Sequence, residues 1–160
     1  MNKTLASLAM ASALFSVTFS AAAEVTVTDA WVRGMVKGQT ETGAYMTIKS
    51  TEPTKLVGVS SPVTKVVQLH EMKMDGDVMT MRPLKSLAVP ADKPLSFGPD
   101  GYHIMLIDLK KPLAKGESVP LKLTFRSQGG KKSSVEVKAE VRALTEPSAP
   151  APMDHAHMQH

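Results

Sequence analysis

Apolar and polar residues alternate at period two along most of the chain. This predicts β-strands, because successive strand side chains leave opposite faces. Val135, Val137, Ala139 and Val141 alternate with polar residues most cleanly. The pattern also runs through 44–49, 56–60, 66–74, 78–81, 104–109 and 119–125, and Val25 and Val27 open a first strand. Turn signals separate these runs at Ser50-Thr51-Glu52-Pro53, Asp75-Gly76-Asp77, Pro112 and Gly116, and Gly129-Gly130. The polar stretch 34–42 reads as flexible. No segment keeps a 3.6-residue apolar period, so a helical bundle is excluded. The chain reads as all-β, a sandwich or small Greek-key barrel around one core.

The two ends follow other rules. Lys3, the apolar run 5–19 and Ala21-Ala22-Ala23 form the charged, apolar and small-residue order of a secretory signal peptide. The run falls short of the roughly 20 residues that span a bilayer. Residues 1–23 are therefore expected to be removed after Ala23 and the remainder exported without a membrane span. Residues 24–144 then form the β-domain. From 145 onward, Glu146-Pro147-Ser148-Ala149-Pro150-Ala151-Pro152 reads as an extended, disordered tether. It carries Met153, His155, His157, Met158 and His160.

Composition narrows the chemistry. The formal charge of +4 is scattered, with no basic stripe interleaved with aromatics, which argues against nucleic-acid binding. Cysteine is absent, so neither a disulfide nor a thiolate copper centre can form within the chain. Soft-metal binding would fall to thioether sulfur, and the chain holds eleven methionines. No serine, histidine and acid arrangement is legible, and the chain does not read as an enzyme.

Histidine placement is the informative feature. His70 and Met72 lie two apart on one strand and share a face, as do His103 and Met105. Met79 and Met81 share a face between them. If Lys73 stands opposite Val78, Met72 lies across from Met79 and His70 across from Met81. Thioether and neutral imidazole together favour Cu(I) and suit reversible binding. Each pairing also suits a structural histidine beside core methionines, and spacing leaves both readings open. The tail is metal-binding by composition, its histidines suited to Cu(II) and its methionines to Cu(I).

The spacing of His70, Met81, His103 and Met105 resembles that of the periplasmic copper chaperones called PCu(A)C: histidine, ten residues, methionine, twenty-one residues, histidine, one residue, methionine. The resemblance extends to Asp29-Ala30-Trp31-Val32-Arg33, Thr42-Gly43-Ala44-Tyr45-Met46, Met79-Thr80-Met81-Arg82-Pro83 and Gly101-Tyr102-His103-Ile104-Met105-Leu106. It implies a cupredoxin-like Greek-key barrel or sandwich with one Cu(I) near the surface on His70, Met81, His103 and Met105. Met72 ranks below these four, and Trp31, Arg33 and Tyr45 read as structural or docking residues. It further implies delivery of copper to a respiratory oxidase subunit or its assembly protein, with the tail binding an additional copper. The alternative is periplasmic copper buffering without a dedicated recipient, which would use the same site.

Overall fold

The computed structural model describes residues 23–143, so residues 1–22 and the His/Met tail lie outside the described residues. The strands are β1 (Val25–Arg33), β2 (Thr42–Ser50), β3 (Thr54–Ser60), β4 (Val66–Asp75), β5 (Val78–Leu84), β6 (Leu87–Val89), β7 (Leu95–Ser96), β8 (Tyr102–Ile107), β9 (Ser118–Ser127) and β10 (Lys132–Arg142). Hydrogen bonding links them in the order β5-β4-β8-β2-β1-β10-β9-β3-β6, with β7 on β2. The path begins at β5 and ends at β6 without joining them. The architecture is thus a cupredoxin-like sandwich and not a closed barrel.

Strand periodicity decides what lies inside. Along β9, Val119, Leu121, Leu123 and Phe125 are buried while Ser118, Pro120 and Lys122 are exposed. Ile104 and Leu106 of β8, Ala44, Met46 and Ile48 of β2, and Leu56 of β3 join the same core. The side chains between those inward residues stand on the outer face. On β4 and β8 these are His70 and His103, beside the inward Leu69 and Ile104.

A bulge sets β1 in phase with this arrangement. Val25 and Val27 pack against the core, but the register with β2 shifts between Thr28 and Trp31, where Asp29 has φ 48°. The extra residue reverses the facing. Val32 then points inward, while Trp31 and Arg33 join Tyr45 on the outer face. Arg142 donates to Asp29 and fixes the bulge.

Two expectations change. The segment 34–41 is fastened, not loose: Gly34 N–H donates to Arg142 O at 2.7 Å, Met35 N–H to Leu113 O at 2.9 Å, and Leu109 N–H to Thr40 O at 2.8 Å. A Cβ on Gly34 would stand 2.7 Å from that Arg142 oxygen, so only glycine permits the approach. The strand expected over 104–109 instead runs Tyr102–Ile107 and stops at Asp108, whose φ is 59°. His103 therefore falls inside the strand, one residue from its start.

Candidate metal centre

The site lies on the outer face of β4, β5 and β8, where backbone pairing brings distant residues together. His70 stands directly opposite His103, and Met105 opposite both Gln68 and Gly43. Across β4 and β5, Met72 faces Met81 and Met74 faces Met79. This corrects the expected register, in which His70 faced Met81 and Met72 faced Met79. Asp75 pairs with Val78, leaving only Gly76-Asp77 in the turn. Gly76 has φ 64°, the positive value that the first central position of a two-residue hairpin turn requires. The correction moves the pairing by two residues, which preserves every facing; a shift of one would have reversed them.

Met72, Met81, His103 and Met105 line one cavity of about 530 Å³. Its other walls come from Arg33 and Gly34, from 38–41 of the fastened loop, from Thr42, Gly43 and Tyr45 of β2, and from Pro99. His70 does not line it, but its ring centroid lies 5.7 Å from that of His103 at an interplanar angle of 76°. Thus four residues converge directly and His70 adjoins through its strand partner. A larger cavity of about 830 Å³, lined by Lys55, Lys85 and Arg126 among others, contains no histidine or methionine. Of these two cavities only the smaller one is lined by soft donors.

Hydrogen bonding prepares the imidazoles. His103 Nδ1 lies 3.2 Å from Gly101 O, and a carbonyl only accepts, so Nδ1 carries the hydrogen. Nε2 is left with a lone pair, 3.1 Å from the sulfur of Met81. In the neutral ring two electron-pair donors then face each other, an arrangement that a cation between them relieves. Metal–nitrogen and metal–sulfur lengths of about 2.0 and 2.3 Å would place such donors at an angle of roughly 90° around one ion. His70 Nε2 donates to Gln68 Oε1 at 2.8 Å. Its Nδ1 therefore holds a lone pair, is buried and has no hydrogen-bond partner. A buried unsatisfied acceptor costs about 1–3 kcal/mol, a cost that ligation would remove.

Charge state favours the same use. Burial pushes the His70 imidazole below its ordinary value of 6.5, and neighbouring His103 pushes it further, against a smaller opposing effect of Glu41. His70 is consequently neutral and able to ligate at pH 7. Burial raises the Tyr45 hydroxyl, opposed by Arg33 and reinforced by Asp100, so the phenol stays protonated. It forms a wall and is not an anionic ligand. Among the described residues, no group of three or more His, Cys, Asp or Glu is placed to hold a metal.

Tyr45 stacks on Trp31 at 4.5 Å, with the Arg33 guanidinium 5.7 Å from its ring and that of Arg142 5.3 Å from the Trp31 ring. Its hydroxyl lies over Gly43, where a Cβ would stand 2.6 Å away. Sequence reasoning missed the orienting partners Gln68, which lies two residues before His70 on the same face of β4, and Gly101, whose backbone carbonyl acts from just before β8. The period-two signal could have found Gln68, but a backbone carbonyl such as that of Gly101 leaves no side-chain pattern.

Residues 25–141 match the family described as "Putative lipoprotein LpqE-like". The chain is 34% identical over 117 residues to "Putative lipoprotein Lxx21020" of Leifsonia xyli subsp. xyli, covering 71% of this chain and 69% of that protein. Among solved structures, CuI-DR1885 from Deinococcus radiodurans is 33% identical, with a TM-score of 0.55 over 75% of this chain and 78% of that one. The copper-bound PCuAC domain of PmoF2 is 24% identical, with a TM-score of 0.58 over 74% and 92%, and shows the shared fold.

Proposed function

The chain belongs to the LpqE-like family, and on that footing we propose that it is an exported copper chaperone holding one Cu(I) on His70, Met81, His103 and Met105. Its likeness to DR1885 and to PCuAC domains makes it copper-chaperone-like in kind. The particular ligand set and recipient are our own reading. The observation that carries it is the meeting of His103 Nε2 and Met81 Sδ at 3.1 Å, with Gly101 holding the hydrogen on the far nitrogen.

Uncharged donors leave the ion's charge uncompensated, so binding is reversible where a thiolate would hold fast. Met81 is half exposed while His103 is buried. A recipient's ligands would therefore replace the methionine sulfur first and the imidazole last. We assign the recipient to the copper-receiving subunit of a respiratory oxidase or its assembly protein, and the compartment to the periplasm, with 1–23 as the removed signal. The lipoprotein name of its relatives supports export, although this chain has no thiol to carry a thioether-linked lipid. No helix among the described residues is long and apolar enough to cross a membrane. The tail residues Met153, His155, His157, Met158 and His160 would take a further copper, Cu(II) on the histidines.

The test is a Cu(I) titration of the tail-truncated protein against a competing chelator, repeated with Met81→Ala and His103→Ala. Tight one-to-one binding that both substitutions abolish supports the reading, and binding indifferent to them refutes it. Oxidase copper occupancy after gene deletion under copper limitation separates delivery from buffering: occupancy falls if the protein delivers and holds steady if it only sequesters.

A further inference from the structure

The β4–β5 hairpin carries two methionine pairs on one face, and only the inner pair lines the cavity. Met72 N–H donates to Gly101 O on the β8 side at 3.0 Å. Its backbone groups therefore point away from β5, and Met72–Met81 is a non-hydrogen-bonded cross-strand pair. Two residues farther along, Met74–Met79 has the same character. In such pairs the Cα atoms approach to about 4.5 Å and the side chains lie closest. Met74 is 56% and Met79 42% exposed, so neither serves as core filler. The opposite face of the hairpin is occupied by polar contacts, with Arg82 bonded to Asp75 and Thr80 to the Lys73 carbonyl.

We propose that Met74 and Met79 form an outer Cu(I) site at the hairpin tip, through which the ion enters and leaves the inner site. The proposal rests on the copper-carrier reading above. Thioethers need no deprotonation and give a soft, weak site when only two are present, which is what a way-station requires. A strand rises about 3.4 Å per residue, so the pairs stand roughly 7 Å apart. Flexible methionine side chains can span that gap, passing the ion from Met74 and Met79 to Met72 and Met81 and then to His103. Neither the copper nor any residue changes oxidation state.

The experiment uses the full chain with Ag(I) as a redox-silent probe, following assigned methionine methyl resonances, alongside the doubly substituted M74L/M79L chain. The first equivalent is expected to move the Met81 and Met105 methyls, and further equivalents those of Met74 and Met79. M74L/M79L should keep the equilibrium affinity of the inner site yet load from a chelator about tenfold more slowly, because the outer site raises the local ion concentration. Met74 and Met79 methyls that stay still at saturating Ag(I), or an unchanged loading rate, would overturn the outer site. Movement of Met74 and Met79 without Met81 and Met105 would instead sink the inner site and leave the outer one standing.

Discussion

Met72 and Met81 face each other directly across β4 and β5, and His103 reaches the Met81 sulfur from the far side of β4. The site is thus built across three strands, β4, β5 and β8, with pairing that no single segment contains. Its properties should follow from which of those strands each substitution disturbs.

Replacing a donor should cost more than replacing an orienting group. His103→Ala is expected to lower Cu(I) affinity by more than about 100-fold, whereas Gln68→Leu, which frees His70 to adopt the other tautomer, should cost about tenfold. Chelator competition at fixed pH measures both. Equal losses would show that Gln68 is itself a donor or that His103 is not.

The pH dependence has a definite sign. The folded state holds the His70 imidazole below 6.5, so it binds fewer protons than the unfolded chain as pH falls through that value. Stability therefore rises with pH in this window, and the penalty is complete only below the depressed folded value. Metal-free wild type should have a lower urea midpoint at pH 5 than at pH 7.5, and His70→Asn should flatten that difference. The lowered His70 value also predicts that protonation displaces His70 from Cu(I) at a lower pH than it would an ordinary imidazole.

Gly43→Ala tests the wall of the cavity. The new Cβ would meet the Tyr45 hydroxyl and ring, which Trp31 holds from behind. Overpacking of this kind costs about 1–3 kcal/mol. The expected readings are a lower Tm and a shifted Trp31 emission. An unchanged emission would mean that Tyr45 is not wedged as described.

Gly76→Ala tests the hairpin. An L-residue with a side chain at φ 64° costs about 1–2 kcal/mol, and the turn is what fixes the Met72–Met81 register. Denaturant unfolding should show that loss, while Gly76→Asn, which tolerates the left-handed region, should lose less. Similar losses for the two would argue that the turn adopts another shape.

Much of this was legible before any coordinates. Alternation in 135–141 and 119–125 located β10 and β9, and in β10 it named the inward residues, because burial on one face leaves a period-two trace. The same period placed His70 with Met72 and His103 with Met105. It gave no view of β6 or β7, which have three and two residues, too few to show a period. It also described 34–42 as loose, since the backbone bonds from Gly34 and Met35 leave no side-chain pattern.

By itself, the sequence determined which residue types were available: no thiolate, few histidines, and methionines spaced to share faces. It also set the parity of each strand, which survives a register error of two. Only the tertiary structure decided which strands adjoin, because strand order depends on how the sheets close over the core and not on local periodicity. That choice set β8 beside β4, turned Trp31 outward through the Asp29 bulge, and left a lone pair on His103 facing the sulfur of Met81. Pairings between residues so far apart in the chain are decided by packing, and packing has no local code.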